Sequence, residues 1–221
     1  MEKIRRQPDI IPLHEYCPTV ILADGEFPTH NIPVACLNDA ERIICCDGAA
    51  QKILNHNKIP DFIVGDCDSI SEDIRKRFRE IIIQSHDQQT NDLTKAVNFC
   101  IENNWLNITI LGATGKREDH SIGNISLLAD YAEKCNVRLI TDYGIFNPQT
   151  ENKTVYQSRT GEQISIFSLS QETEITSYNL RYPLSKMKLS SWWQGSLNEA
   201  SGNTFTIEKD GGKLLVFRQH T

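Results

Sequence analysis

Short apolar runs recur through the first two thirds of the chain, and helical segments separate several of them. Each run is rich in isoleucine and valine and is apolar on both faces, which is typical of parallel strands buried inside a sheet. The runs lie at residues 19–23, 42–46, 62–64, 81–83, 108–111 and 137–140. Alternating strands and helices predict an α/β domain with a mostly parallel sheet.

Two segments between these runs have the apolar periodicity of amphipathic helices. Residues 93–103 place Leu93, Val97, Cys100 and Ile101 on one stripe, and residues 122–134 do the same with Ile122, Ile125, Leu128 and Ala132. A third helix is expected after Ser71, because serine is a favoured N-cap and the helix dipole favours the carboxylates of Glu72 and Asp73 in its first turn.

The pattern changes after residues 147–150. Ile164, Ile166 and Ser168 alternate with their neighbours, which is typical of a half-buried strand. The runs at 204–207 and 214–217 flank the sequence Asp-Gly-Gly at 210–212, which predicts a β-hairpin. We therefore expect an α/β domain at residues 1–147 and a small antiparallel β domain at residues 148–221.

Composition narrows the class of protein. The chain has 221 residues, of which 39% are hydrophobic and 24% charged, as in ordinary globular proteins. No apolar stretch approaches the roughly 18–20 residues of a membrane helix, and we expect no secretory signal. Acidic residues outnumber basic ones, 29 to 23, which argues against a general nucleic-acid binder but remains compatible with a nucleotide enzyme.

Cysteine usage indicates a reducing compartment. There are seven cysteines, an odd number, and none is spaced as Cys-x-x-Cys. Cys45 and Cys46 lie in an apolar run, so we expect buried thiols there rather than a disulfide framework or a zinc site. A cytoplasmic location is the expectation that follows.

Carboxylates follow the predicted strands. In a parallel sheet the carboxyl ends of the strands meet at one edge, where ligands bind. The residues are Asp47, Asp66, Asp68, Asp87, Asp92 and Asp119. Crowded carboxylates repel one another unless a cation binds among them, and oxygen ligands suit Mg²⁺ carrying substrate phosphates.

Each of these signals also has an ordinary structural interpretation when taken alone. Asp92 can cap a helix, Asp47 before glycine can form a turn, and Arg117 can be a solvated surface residue. Gly112 and Gly115 can make a tight turn, although glycine there also permits close approach of the backbone to a phosphate. Their joint occurrence at successive strand ends favours a functional site.

Six motifs, in this order, resemble those of the thiamine pyrophosphokinase family. They are DGAA at 47–50, PDFIVGDCDSI at 60–70, DQQTNDLTKA at 87–96, GATGKREDH at 112–120 together with Asn124, NLRYPL at 179–184 and GSLNE at 195–199. The resemblance covers the chain from about residue 19 to residue 217, and the six motifs in this order are specific although each alone is common.

The resemblance implies a fold, a reaction and an assembly. The fold would be an N-terminal, mostly parallel α/β catalytic domain followed by a small antiparallel β-sandwich. The reaction would transfer the pyrophosphoryl group of ATP to thiamine with Mg²⁺, giving thiamine diphosphate and AMP. The assembly would be a homodimer whose active sites lie between subunits.

It also suggests roles for individual residues. Asp66, Asp68 and Asp92 would hold Mg²⁺. Arg117 would bind phosphates, and Asp119 would orient Arg117 or help position the attacking hydroxyl. The expected ATP contacts are Asp47, Gly48, Asp87, Gln89, Thr114, Gly115 and Lys116, with Asp87 also within reach of the metal; the expected thiamine contacts are Trp192, Trp193, Ser196 and Asn198.

The chain departs from the family pattern at three positions, and other functions stay open. Asn91 stands where threonine is usual, and Lys116 stands where glycine is usual. Leu197 lies in the usual Ser-Asn-Glu neighbourhood, with the serine displaced to Ser196. A magnesium-dependent glycosyltransferase also uses an Asp-x-Asp pair. The acceptor could instead be another pyrimidine alcohol or a pterin, or the chain could be a module that binds a nucleotide without turning it over.

Overall fold

The protein, described by a computed structural model over residues 10–11 and 18–220, divides into two compact units. Residues 18–143 form the first unit, and residues 144–220 with Ile10 and Ile11 form the second. The boundary expected from sequence lay between residues 147 and 148. Within the described ranges, no helix combines the length and the apolar character that crossing a membrane requires.

The first unit consists of strands that alternate with helices, whereas the first strand of the chain, β1 (Ile10–Ile11), belongs to the second unit. The elements of the first unit are β2 (Thr19–Leu22), α1 (Asn31–Asp39), β3 (Arg42–Cys46), α2 (Ala50–Asn55), β4 (Phe62–Gly65), α3 (Glu72–Arg77), β5 (Ile82–Gln84), α4 (Asp92–Glu102), β6 (Asn107–Leu111), α5 (Glu118–Tyr131) and β7 (Asn136–Ile140). Single turns of 3-10 helix occupy Asp47–Ala49 and Arg79–Ile81.

These strands form a parallel sheet in the order β7-β6-β2-β3-β4-β5. All four residues of β2 are buried, as are four of the five in β3, which confirms the expectation from runs that are apolar on both faces. The chain runs from β2 through β3 and β4 to β5, and then returns to the other side of β2 to form β6. Ligands of such sheets bind in the crevice beyond the carboxyl ends at this reversal.

The helices begin earlier than their apolar periodicity predicted. Helix α4 begins at Asp92 and buries Leu93, Val97 and Cys100, as expected. Helix α5 begins at Glu118, and Ile122 is exposed, so the interpretation of Ile122 as an apolar contact was wrong. The first turns of α5 border a cavity, so this part of the helix presents no apolar stripe to the sheet.

The second unit consists of strands in two groups. They are β8 (Gly144–Gln149), β9 (Lys153–Gln157), β10 (Gln163–Ser168), β11 (Glu174–Tyr178), β12 (Met187–Lys188), β13 (Asn198–Glu199), β14 (Thr204–Asp210) and β15 (Leu214–Gln219), with a 3-10 turn at Trp192–Gly195. One group has the order β1-β9-β14-β11-β12, in which only β1 is parallel to its neighbour; the other has the antiparallel order β13-β10-β15-β8.

The predicted hairpin at 210–212 was wrong. Strand β14 pairs with β9 and β11, whereas β15 pairs with β8 and β10, so the turn carries the chain from one group of strands to the other. Gly211 and Gly212 have φ values of 71° and 64°, in the left-handed region that glycine adopts readily. The same turn chemistry therefore serves a crossing between sheets as well as a hairpin.

The core of the second unit contains apolar side chains from both groups of strands. Phe205 and Ile207 of β14 share one buried cluster with Ile164 and Ile166 of β10. The burial of Ile164, Ile166 and Ser168 on alternate positions of β10 confirms the predicted strand.

A buried ion pair also belongs to this unit. Arg218 Nε lies 2.8 Å from Glu162 Oε1, with side chains only 3% and 2% exposed. Arg218 Nη2 also donates to the carbonyl oxygen of Gln157.

Candidate active site

A cavity of about 390 Å³ opens at the carboxyl ends of β2, β3, β4 and β6, in the first unit. Its walls are the residues after β2 (Ala23, Asp24, Gly25), after β3 (Cys46, Asp47), after β4 (Asp66, Ser69), around the start of α4 (Gln88, Thr90, Asn91, Asp92, Leu93, Lys95), after β6 (Ala113, Thr114, Lys116, Arg117) and in α5 (His120, Ser121, Asn124). The cavity therefore lies at the edge of the sheet where the sequence placed its carboxylates.

Three carboxylates converge in this cavity. Asp47 follows β3, Asp66 follows β4 and Asp92 opens α4, and one oxygen from each lies within 4.8 Å of the other two. Asp47 is only 5% exposed, and its Oδ2 has no hydrogen-bond partner among the described residues. A buried, unpaired carboxylate oxygen beside two further carboxylates suits a hard divalent cation.

The backbone holds Asp47 in this position. The Gly48 N–H donates to Asp47 Oδ1 over 2.5 Å, at the start of the 3-10 turn. Gly65, the last residue of β4, passes so close that a Cβ there would lie 2.9 Å from the Asp47 Cβ. Glycine at position 65 therefore lets the carboxylates of neighbouring strands approach one another.

The electrostatics of the cluster favour a cation. Burial, together with the charge of Asp92, raises the pKa of Asp47. The ammonium of Lys95, a residue only 7% exposed, lies 2.9 Å from Asp92 Oδ1 and 3.9 Å from Asp66 Oδ2. Burial alone would lower the pKa of Lys95, but its hydrogen bond to Asp92 and the nearby carboxylates outweigh burial and raise it.

Asn91, and not Asp92, caps helix α4. The Asp92 carboxylate therefore takes no part in capping. Asn91 is the N-cap of α4, and its Oδ1 accepts from Thr94 N at 2.9 Å. Its Nδ2 donates to Asn124 Oδ1, and Asn124 in turn donates to the Ala113 carbonyl oxygen. This chain of hydrogen bonds links α4, α5 and the loop after β6.

Three of the predicted residues lie outside the carboxylate cluster. Asp68 is exposed, and its backbone N–H donates to Asp66 Oδ1 over 3.1 Å, so the Asp-x-Asp pair forms a local turn. Asp87 accepts from Gln89 N and Thr90 Oγ1, and the Thr90 hydroxyl contributes most to lowering the pKa of Asp87. Asp87 and Gln89 are both exposed.

Arg117 and Asp119 form a bidentate ion pair at the N-terminus of α5. Arg117 Nη2 and Nε lie 2.5 and 3.1 Å from the two oxygens of Asp119. The hydrogen bond from Arg117 lowers the pKa of Asp119. Arg117 lines the cavity and its side chain is 71% exposed, so its guanidinium is accessible to an anion in the cavity.

The loop after β6 is held by the loop after β2. Gly25 N donates to the Gly112 carbonyl oxygen, and Glu26 N donates to that of Thr114. A Cβ on Gly25 would lie 2.3 Å from the Gly112 oxygen, so this approach requires glycine. Gly112 and Gly115 adopt φ values of 64° and 92°. The close packing positions Thr114 at the cavity wall.

Lys116 belongs to a small charged cluster at this loop. The ammonium groups of Lys52 and Lys116 lie 2.6 and 3.4 Å from Asp24 Oδ1. Lys52 also donates to the carbonyl oxygens of Asp24 and Gly25, and these hydrogen bonds stabilise the loop after β2.

The predicted thiamine contacts lie in the second unit. Trp193 and Trp192 are both exposed, at 75% and 44%, and Trp192 donates from Nε1 to the Ser168 carbonyl oxygen. Ser196 Oγ donates to the Trp193 carbonyl oxygen. Asn198 is buried, and its amide both donates to the Tyr182 carbonyl oxygen and accepts from Tyr182 N.

Several residues in or beside the cavity were not expected from sequence, namely Asp24, Lys52 and Lys95. Asp47 was expected among the strand-end carboxylates, but as a contact to ATP and not as a metal ligand. The spacing of three residues from Asp92 to Lys95 on one helix was a usable signal, because such residues are neighbours on a helix surface. Asp24 follows β2 and was open to the strand-end argument that found the other carboxylates.

Two family models match this chain, one in each of its two units. Residues 34–140 match the family model for the thiamin pyrophosphokinase catalytic domain, and residues 144–217 match that for its substrate-binding domain. Thiamine pyrophosphokinase 1 of Oryza sativa subsp. japonica is 32% identical over 145 residues, which are 54% of this chain and 55% of that protein. The match thus spans about half the length of this curated relative.

Thiamine pyrophosphokinase of Bacillus subtilis is 30% identical over 148 residues, which are 62% of this chain and 68% of that protein. A crystal structure of thiamine pyrophosphokinase from Bacillus subtilis is similar with a TM-score of 0.75 and 26% identity, over 91% of this chain and 98% of that one. This similarity confirms the expected fold class. The two family models and the bacterial relative together show that the chain belongs to the thiamin pyrophosphokinase family.

Proposed function

We propose that this protein transfers the pyrophosphoryl group of ATP to thiamine, giving thiamine diphosphate and AMP. The observation that supports this most is the convergence of Asp47, Asp66 and Asp92 in a cavity that Arg117 and Lys116 also line. An acidic cluster and cationic side chains in one cavity suit a polyphosphate that arrives with a divalent cation.

Mg²⁺ fits the carboxylate cluster. The donor atoms are all carboxylate oxygens, and Asp47 Oδ2 is buried without a hydrogen-bond partner. We propose Asp47, Asp66 and Asp92 as the ligands, which replaces Asp68 by Asp47 in the set expected from sequence. When bound, Mg²⁺ supplies positive charge that neutralises the polyphosphate.

The residues of the chain would do the remaining work by positioning. Arg117, held by Asp119, would donate charge-assisted hydrogen bonds to phosphate oxygens. Asp119 already accepts two hydrogen bonds from Arg117, so its role would be to position the Arg117 guanidinium. Lys116 and the backbone around Thr114 and Gly115 would contact ATP, as would Asp47 with Gly48. Asp68, Asp87 and Gln89 are exposed, and contacts from them to the nucleotide stay predictions.

The second unit would bind thiamine. The exposed indole of Trp193 offers a face to the cationic thiazolium ring by cation–π attraction, and Trp192 and Ser196 lie near it in the chain. The Asn198 amide holds the Tyr182 backbone, so a role for Asn198 through the loop it fixes is more consistent with its contacts than direct binding. Assembly as a homodimer is also a proposal.

A reducing, cytoplasmic environment is proposed on the basis of the cysteines. Five cysteines in the described part of the chain, Cys45, Cys46, Cys67, Cys100 and Cys135, are buried thiols that form no disulfide. Burial raises the pKa of both Cys45 and Cys46, which keeps these thiols protonated and unreactive.

The test is incubation of the protein with ATP, Mg²⁺ and thiamine, followed by mass spectrometry. We expect AMP and thiamine diphosphate in equal amounts. Release of a nucleoside diphosphate would indicate a different transferase, and nucleotide binding without turnover would indicate a binding module.

One substitution tests the carboxylate cluster. Asp66→Asn should lower turnover roughly 100-fold or more, because removing one preorganised charged group at a reacting centre has effects of that size. Asp39→Asn, an exposed acid-to-amide change at the end of α1, serves as the control. Equal turnover in Asp66→Asn and the control would contradict the assignment.

A further inference from the structure

The carboxylate cluster already contains a cation that belongs to the chain. Lys95 lies on α4 and is buried, with its ammonium 2.9 Å from Asp92 Oδ1 and 3.9 Å from Asp66 Oδ2. No role for this residue follows from the reaction proposed above. Its position bears directly on how the protein holds its carboxylates when no metal is bound.

The location of Lys95 needs a physical reason, because a buried ammonium is costly unless it is paired. It follows Asp92 by three positions on α4, so the two side chains lie on the same face of the helix. Its ammonium bonds to the carboxylate that opens the helix and approaches a second one across the cavity. Three converging carboxylates repel one another, and one ammonium relieves part of that repulsion.

We propose that Lys95 is an internal counter-ion that holds the cluster together in the absence of metal and competes with the divalent cation for it. The inference rests on the metal site of the proposed function. A divalent cation held by this cluster would share the Asp92 carboxylate with Lys95, and the ammonium and the cation would repel each other. Lys95 is therefore a positioning residue that tunes metal affinity.

A purely structural role for Lys95 predicts a different outcome. If the ammonium only filled space and stabilised α4, its removal would loosen the site and weaken metal binding. If it competes with the metal, removal must tighten metal binding while it destabilises the metal-free protein. The direction of the change in affinity therefore separates the two roles.

The experiment is a titration of the nucleotide-free protein with Mn²⁺, in which electron paramagnetic resonance measures the free ion. Lys95→Met keeps the length of the side chain and removes its charge. We expect it to bind Mn²⁺ about ten-fold more tightly than the unaltered protein, since a single nearby charge has at least this effect on a divalent ion. Equal or weaker binding would overturn the inference.

Two control variants frame the comparison. Lys76→Met removes one positive charge from the exposed face of α3, where Lys76 pairs with Glu72 in an i,i+4 bridge, and should leave Mn²⁺ affinity within about two-fold. Asp66→Asn should lose most of the binding. If Lys76→Met tightened binding as much as Lys95→Met, net charge rather than position would be the cause and the inference would fail.

The metal titration can fail separately from the proposed function. A protein that binds Mn²⁺ as expected but makes no AMP would contradict the function and leave the role of Lys95 standing. If the protein makes AMP but Lys95→Met binds Mn²⁺ no more tightly than the unaltered protein, the proposed function stands and the role of Lys95 is contradicted.

Thermal unfolding provides a second measurement in case Lys95→Met is poorly folded without metal. Added Mn²⁺ should raise its Tm by more than it raises that of the unaltered protein, because stabilisation grows with affinity. A variant that no concentration of Mn²⁺ restores would show that Lys95 is needed for the fold itself, and this would also overturn the inference.

Discussion

Asp47 combines burial, charge and an unpaired oxygen in one side chain. Its Oδ2 has no hydrogen-bond partner among the described residues, and burial followed by the charge of Asp92 raises its pKa. A carboxyl whose folded pKa exceeds its unfolded value favours folding when protonated. Stability therefore falls as the pH rises from the unfolded pKa, about 4, through the raised folded pKa.

Asp47→Asn should accordingly stabilise the metal-free protein at neutral pH. The amide is neutral and nearly isosteric, and we expect the free energy of unfolding to rise by about 1 kcal/mol, the lower end of the cost of an unsatisfied buried polar group. The gain should shrink near pH 4, where the carboxyl also becomes neutral. Urea denaturation with a chelator at both pH values measures this; a variant less stable than its parent at neutral pH would refute it.

Individual site residues were predictable to different degrees. Asp66 and Asp92 follow from the rule that ligands gather at strand ends. Asp47 follows from the same rule, but its closeness to Asp66 depends on β3 and β4 being neighbours in the sheet, which no local pattern indicates. Asp68 looked equivalent to Asp66 in sequence, but its backbone closes a turn on Asp66 and its side chain is exposed.

At the scale of an element, the start of α4 links stability to the site. Asn91 accepts the N-cap hydrogen bond and also donates to Asn124, so the Asp92 carboxylate stays available in the cavity. The amide nitrogen of Asn91 thus also bonds the start of α4 to α5.

Asn91→Ala should lower the free energy of unfolding by about 1 kcal/mol, as loss of an N-cap does, and should also lower turnover because Asp92 becomes free to cap the helix. Ser71→Ala removes the N-cap of α3, which accepts from Ile74 N, and serves as the matched control with a stability loss only. Chemical denaturation and the AMP assay on both variants provide the comparison. Equal turnover in the two would contradict the linkage.

Whole elements were predictable where burial alone decides them. The strands β2, β3, β4, β6 and β7 of the first unit are buried over most of their length, so their number and parallel direction followed from the pattern. The connection from β14 to β15 was not predictable, because a Gly-Gly turn has the same local chemistry in a hairpin and in a crossing between sheets. Only the partners of each strand distinguish the two, and those are long-range contacts.

At the scale of the molecule, the second unit contains a buried ion pair between Arg218 and Glu162. Glu162→Gln should lower the stability of this unit by about 3 kcal/mol, because it removes the carboxylate charge that pairs with the buried Arg218 guanidinium. Glu172→Gln breaks the exposed pair with Lys188 and should cost less than about 1 kcal/mol. Thermal unfolding of the two variants compares them; similar shifts in Tm would mean that the buried pair is weak.

The pairing of β15 sets an order of events during synthesis. The strands of the first unit are complete once residue 140 has emerged from the ribosome, so that unit can form while translation continues. β8 and β10 each pair with β15, which spans Leu214–Gln219, and they have no direct pairing with each other. The edges of β8 and β10 that pair with β15 therefore lack this partner strand until β15 has been synthesised.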